Sequence, residues 1–110
     1  MTLEEFLDVC PFEVLTLIDK NAQITAGYTS DLLSDVMANC PAESVLITVQ
    51  NHKNTVAVAT LADCKAILVC HGREIPQDMI DAAGSEEIAI LKTPLNQFEA
   101  SYMVAKALSI

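Results

Sequence analysis

The sequence predicts an α/β domain with a mainly parallel central sheet and helices packed on its faces. Three observations carry that prediction. From residue 44 onward, short apolar runs alternate with stretches of helical periodicity, in the order strand, helix, strand, helix, strand, helix. The run over residues 44–50 is nearly continuous in apolar residues, as expected for a strand covered on both faces. The chain has 110 residues, 52% of them hydrophobic, enough to bury a real core. Every connecting stretch is short, so residues 1–110 read as a single domain.

Taken in order, Thr2 before Leu3-Glu4-Glu5 reads as an N-cap with acids in the first helical turn, where they suit the helix dipole. Leu3, Phe6 and Leu7 share one face, and Pro11 stops the helix. Residues 13–18 are apolar and β-branched and read as a strand, closed by a turn at Asp19-Lys20-Asn21. Ile24-Thr25 adds a short extended piece. Gly27 is expected to bend the backbone into a helix capped by Ser30 or Thr29. Asp31 then sits in its first turn, and Leu32, Leu33, Val36 and Met37 form its buried stripe. Asn39 and Pro41 end this helix.

Residues 55–62 alternate like a strand, yet a helix capped by Asn54 and ending near Asp63 is the preferred reading. The next apolar run, 66–70, needs a crossover if it pairs in parallel, and no Gly or Pro marks a hairpin before it. Pro76 suits the first turn of a helix with Met79, Ile80 and Ala83 facing inward and Gly84 as its C-cap. Residues 88–91 form another short strand. Thr93-Pro94 opens a turn, and Asn96 or Thr93 caps the last helix, where Phe98, Tyr102, Ala105 and Leu108 keep helical spacing.

Charge and composition exclude several function classes. Six basic residues against fifteen acidic ones give a net charge of −9, a sign that repels nucleic-acid backbones. No apolar run reaches the roughly 18 residues of a membrane span. Residues 1–9 have no basic stretch before an apolar one, so a secretory signal is not expected and the cytoplasm is the expected compartment. Cys10, Cys40, Cys64 and Cys70 form no C-x-x-C pair and read as small buried thiols, with a redox or metal role as the other reading.

In an open parallel sheet, ligands lie beyond the carboxyl ends of the strands. Three loops qualify: Gln50-Asn51-His52-Lys53-Asn54, His71-Gly72-Arg73 and Lys92-Thr93-Pro94. Together they hold both histidines, the only arginine and two of the five lysines. Gln50, Asn51, His52, Lys53, His71, Gly72, Arg73 and Thr93 are therefore the candidate contacts for a small anionic ligand such as a nucleotide or phosphate ester. Loops are polar in any fold, so the clustering also has a plain explanation. Arg73 fits a phosphate clamp or a pair with Glu74 or Asp78, and Gly72 fits a tight bend. The three glycines, Gly27, Gly72 and Gly84, spell no phosphate loop, dinucleotide fingerprint or nucleophile elbow. Asp31 and Asp35, four apart, would share a helical face open to a divalent cation or, as plainly, to solvent. No metal or cofactor is expected.

The stretch Thr25-Ala26-Gly27-Tyr28-Thr29-Ser30-Asp31-Leu32-Leu33-Ser34-Asp35-Val36-Met37-Ala38-Asn39 resembles the opening block of stand-alone DRTGG-domain proteins. Ile47-Thr48-Val49-Gln50-Asn51-His52-Lys53-Asn54-Thr55-Val56-Ala57-Val58-Ala59 is similar to that family's second block, and Gly72-Arg73 and residues 93–99 fit later positions. The resemblance spans roughly residues 13–108. It implies the three-layer α/β/α fold of the N-terminal, non-kinase domain of HPr kinase/phosphorylase, with Thr25, Gly27, Ser30 and Asp31 in the motif loop. It further implies a module that accompanies CBS domains, senses nucleotides and forms homodimers. Where Asp-Arg-Thr-Gly-Gly would stand, the chain reads Gln23-Ile24-Thr25-Ala26-Gly27, so the arginine that would contact an anion is missing.

The expected function is a non-catalytic regulatory or ligand-sensing module. The alternative is an interaction or dimerisation adaptor for a larger enzyme, using the acidic N-terminal half as its contact surface. An enzyme acting alone would need an acid and a base to converge, and His52 with His71 or Asp31 is the set available for that.

Overall fold

The computed structural model describes residues 1–110 as a five-stranded sheet between two helical layers. The elements are α1 (Leu3–Val9), β1 (Glu13–Thr16), β2 (Ala26–Thr29), α2 (Leu33–Asn39), β3 (Ser44–Thr48), α3 (Lys53–Leu61), β4 (Ala66–Val69), α4 (Gln77–Ser85), β5 (Ala89–Lys92) and α5 (Gln97–Ala107). The strand order is β1-β5-β4-β3-β2. β2 to β5 run parallel in unbroken register, Val45 beside Ala66 and Ala66 beside Ala89, and β1 closes one edge antiparallel to β5. The predicted α/β class and mainly parallel sheet are therefore observed. No helix is long and apolar enough to cross a membrane.

The alternation of strand side chains builds two cores. Val45, Ile47, Ala66, Leu68, Ala89 and Leu91 point to one face, where Leu3 and Phe6 of α1 and Ala100 and Val104 of α5 cover them. Leu46, Ile67, Val69 and Ile90 point to the other, under Val36 of α2, Val56 and Ala59 of α3, and Met79 and Ala83 of α4. All five residues of β3 are buried, which is why its sequence is continuous rather than alternating.

Several predicted details hold. Thr2 caps α1 and Asn96 caps α5, and each cap is completed by a reciprocal bond that the sequence reading does not include, from Glu5 and from Glu99. The ambiguous segment is helix α3, carried across the sheet between two parallel strands. Gly72 has a φ of +61°, the left-handed bend expected of it.

Other details differ. Gly27 does not bend the chain; it lies inside β2, and its missing side chain makes room for α5. A Cβ there would stand 3.1 Å from Val104 Cγ1. Neither Ser30 nor Thr29 caps α2, which starts later, after Leu32. The Ser30 hydroxyl instead accepts the Leu32 N–H at 3.2 Å, and Thr29 Oγ lies 2.6 Å from Ser101 Oγ. Leu32 and Met37 are exposed, so Val36 and the half-buried Leu33 are what α2 packs inward. α3 begins before Asn54, and no side chain caps it. Gly84 is inside α4; the left-handed residue that ends the helix is Glu87, which turns Ile88 into the core and lets its N–H reach Ala83 O at 2.9 Å. The face of α5 is also rotated from the aromatic one: Phe98 is 84% and Tyr102 63% exposed, and the small residues Ala100 and Val104 pack on the sheet.

Candidate functional site

Because β2 to β5 are parallel, their carboxyl ends share one edge, and the loops at residues 30–32, 49–52, 70–76 and 93–96 gather there. α2, α3 and α4 start from that edge toward one face and α5 toward the other.

Asp31 ties this edge together. Its Oδ1 accepts from Thr48 Oγ1 at 2.9 Å, from the Val49 N–H at 2.8 Å and from Gln97 Nε2 at 3.0 Å. Its backbone carbonyl accepts from Gln50 Nε2 at 2.8 Å. Thr48 is fully buried, and its hydroxyl oxygen also receives the Gln50 N–H at 3.1 Å. One carboxylate thus joins the ends of β2 and β3 to the start of α5. Asp31 lies ahead of α2 rather than in its first turn, and Asp35 instead bonds Tyr28 and Asn39, so the two do not form a pair on one helical face.

The loop after β4 is fixed by a second set of bonds. His71 and Gly72 are both left-handed, and their N–H groups donate to Leu95 O and Thr93 O, each at 2.9 Å. Arg73 donates from one guanidinium nitrogen to Val49 O at 2.8 Å, rather than pairing with Glu74 or Asp78. Asn51 Nδ2 donates to Glu74 O at 2.7 Å, and its Oδ1 is buried with no donor against it. Thr93 is buried, and its hydroxyl accepts the Leu95 N–H at 3.3 Å. Burial, with a smaller push from the Asp31 charge, raises the Cys70 thiol to about 11, which keeps it protonated at neutral pH.

Gln50, Asn51, Arg73, Gly72 and Thr93 thus belong to one hydrogen-bonded framework, with exposed His52, Lys53 and His71 on its outer side. Neither histidine side chain hydrogen-bonds a carboxylate or hydroxyl. The motif loop, by contrast, is split along β2. Thr25 sits at the opposite end of the sheet, its N–H on Glu43 O, while Ser30 and Asp31 reach the carboxyl edge. Sequence reasoning missed Thr48 and Gln97 as partners of Asp31. Gln97 is 66 residues away, and its only local signal is its place directly after the Asn96 cap.

Both ends of the sheet carry acids; at the carboxyl edge Asp31, Glu74, Asp78 and Glu99 stand among the cations. Lys20 and Lys65 form the two ion pairs, with Glu4 and Asp63. Four cations have no carboxylate partner: Lys53, Arg73 and Lys92 lie at the carboxyl edge, and Lys106 lies in the last turn of α5, toward the other end. At the other end, Asp19, Glu43, Asp63, Glu86 and Glu87 line a cavity of about 280 Å³ around Lys65. α3 and α4 begin at the carboxyl edge with no side-chain cap; the Thr55 N–H donates to His52 O and the Met79 N–H to Pro76 O, which leaves the N–H groups of Lys53, Asn54, Gln77 and Asp78 open. The widest groove, about 600 Å³, runs between α3 and α4 and takes in Lys53 at its upper end.

No family model matches the chain, and no curated protein matches it. Among solved structures, it is similar to the CBS and DRTGG domains of the regulatory region of a Clostridium perfringens pyrophosphatase, crystallised with the activator diadenosine tetraphosphate. The match has a TM-score of 0.73 at 15% identity and covers 97% of this chain. The chain spans about half, 47%, of that structure. The likeness shows the fold.

Proposed function

We propose that the chain is a ligand-sensing regulatory module that binds a small anionic ligand, a nucleotide or a polyphosphate-bridged dinucleotide, at the carboxyl edge of its sheet. The observation that carries this reading is that three of the four cations without a carboxylate partner, Lys53, Arg73 and Lys92, gather there, in a molecule of net charge −9. A phosphate would find these cations beside the open first turns of α3 and α4, where the helix dipole favours negative charge. The fold it shares with a regulatory region bound to diadenosine tetraphosphate supports a nucleotide as the first class to test.

On this reading Gln50, Asn51, His52, Lys53, His71, Gly72, Arg73 and Thr93 form the binding edge, with Asp31 holding it in shape. The module is DRTGG-like, related in fold to the N-terminal domain of HPr kinase/phosphorylase. It transfers no phosphoryl group itself, because a Gly-rich phosphate loop is missing from its sequence. It works in the cytoplasm, where nucleotides are abundant. The test is titration of isotopically labelled protein with diadenosine tetraphosphate, ATP and inorganic phosphate, followed by amide and imidazole resonances. Saturable shifts at residues 50–54, 71–73 and 92–97, lost in Lys53→Glu and Arg73→Ala, are expected. Unchanged His52 and His71 resonances at millimolar ligand contradict it.

One observation favours interaction with a protein as a second reading. The outer face of α5 presents Phe98 and Tyr102, and with Val9 of α1 it borders an apolar groove of about 400 Å³. A homodimer or partner contact would then use α5 rather than the acidic N-terminal surface. Light scattering of the wild type against Phe98→Ser/Tyr102→Ser checks this: loss of a dimer in the double variant supports it, and a monomeric wild type contradicts the homodimer.

A further inference from the structure

The four cysteines are far apart in sequence, but the fold places two on each face of the sheet. Cys10 and Cys70 are buried on the α1/α5 face of the sheet. Cys40 and Cys64 lie together on the other face, with their sulfur atoms 3.5 Å apart. Cys40 ends α2 and is partly exposed; Cys64 sits just ahead of β4 and is buried. Their meeting is fixed by backbone bonds. The Glu43 N–H donates to Asp63 O and the Lys65 N–H to Ser44 O, both at 2.9 Å, so the turns after α2 and α3 lie side by side. Cys40 Sγ also contacts Pro41 O at 3.6 Å, at the exposed side of the pair.

We propose that Cys40 and Cys64 are a redox modification site: a hydroperoxide oxidises the pair to an intramolecular disulfide, and a small dithiol reductant restores it. Cys40 is the half that a peroxide reaches first. Its thiolate attacks a peroxide oxygen, the O–O bond breaks, and hydroxide leaves and takes up the thiol's proton as water. The sulfenic acid that remains faces Cys64. The Cys64 sulfur attacks the Cys40 sulfur, the S–O bond breaks, and the departing hydroxide leaves as water with the Cys64 proton. Two thiols and one hydrogen peroxide give one disulfide and two waters. Burial, and then the neighbouring Cys40, push the Cys64 thiol far above its usual range, so Cys64 does not meet peroxide first; its attack on Cys40 relies on the 3.5 Å sulfur–sulfur approach. The bond would close a 24-residue loop containing β3 and α3 and tie the end of α2 to the start of β4.

The sequence makes the test unambiguous. Trypsin cuts after Lys20, Lys53, Lys65 and Arg73, placing each cysteine on its own peptide. The folded full-length chain is exposed to hydrogen peroxide, alkylated in denaturant and mapped by mass spectrometry. The expected product is peptide 21–53 linked to peptide 54–65, with Cys10 and Cys70 alkylated, and dithiothreitol reverses it. Cys40→Ser should abolish the linked peptide and leave Cys64 alkylated; Cys10→Ser should leave the link intact. The proposal is overturned if all four thiols remain alkylatable, if Cys40 is carried to sulfinic acid while Cys64 stays free, or if the links join different molecules.

Discussion

Replacing Asp31 by alanine tests whether one carboxylate holds the carboxyl edge together. The substitution strands the fully buried Thr48 hydroxyl and the half-buried Val49 N–H, both of which donate to Asp31 Oδ1 at under 3 Å. A buried group left without a partner costs about 1–3 kcal/mol, more when the lost acceptor is charged. Gln97 turns out to water, so its loss adds little. The sum is about 3 kcal/mol. For a chain of this length the unfolding entropy is about 0.23 kcal/mol per degree, so Tm should fall by about 13 °C. Asp31→Asn keeps an acceptor at the Oδ1 position and loses the charge, for about 1 kcal/mol, or about 4 °C. In a Thr48→Val background the alanine penalty should shrink by about 1 kcal/mol, because one stranded donor is gone. Urea and thermal melts of the wild type, the three single variants and the Asp31→Ala/Thr48→Val double variant read this directly. An Asp31→Ala protein within about 0.5 kcal/mol of wild type, or additive effects in the cycle, would refute the network.

Gly27→Ala should push on Val104 and cost about 1 kcal/mol, with Gly27→Val costing about 2–3 kcal/mol by overpacking; chemical denaturation should show the alanine cost vanish in a Val104→Ala background. Phe98→Ser, at an 84% exposed position, should change stability by less than about 0.5 kcal/mol, while Val104→Ala, at 1%, should cost about 2 kcal/mol; equal effects in urea melts would contradict the face assigned to α5.

Asp35 gives a pH prediction. Bonds from Asn39, Tyr28 and Ser30 hold its carboxyl below the usual range, and its bond with Tyr28 raises the tyrosine. Asp35 therefore adds stability that is present above about pH 4 and lost as pH falls through its lowered native pKa. Tyr28 adds stability that is present below about pH 10 and lost as pH rises through its raised native pKa. In a Tyr102→Phe background, phenolate absorbance should show Tyr28 returning toward about 10 when Asp35 becomes Asn. An unchanged titration would mean the bond does not form in solution.

The fold was legible because its signals are local. Continuous apolar runs mark β3, β4 and β5, the caps Thr2 and Asn96 mark α1 and α5, and the parallel reading made the segment after Asn54 a crossover helix. What misled were features whose meaning is set by distant packing. Gly27 looks like a turn residue, but its partner Val104 is on the last helix. Phe98 and Tyr102 keep helical spacing, yet the close approach of α5 to β2 and β3 selects the narrow Ala100–Val104 face instead. At the candidate site, the parallel order placed the right loops on one edge. The roles within them stayed hidden, because Asp31 is defined by a glutamine 66 residues away and Arg73 by the carbonyl of Val49. The Cys40–Cys64 contact was invisible for the same reason, since no short spacing announces it.

The central claim is that the cation-bearing carboxyl edge receives an anionic ligand. Titrating the labelled protein with diadenosine tetraphosphate measures it most directly. Saturable shifts confined to residues 50–54, 71–73 and 92–97, weakened at least tenfold by Arg73→Ala, are the predicted result. No shift at millimolar nucleotide, or shifts confined to the acidic opposite end around Lys65, would contradict it.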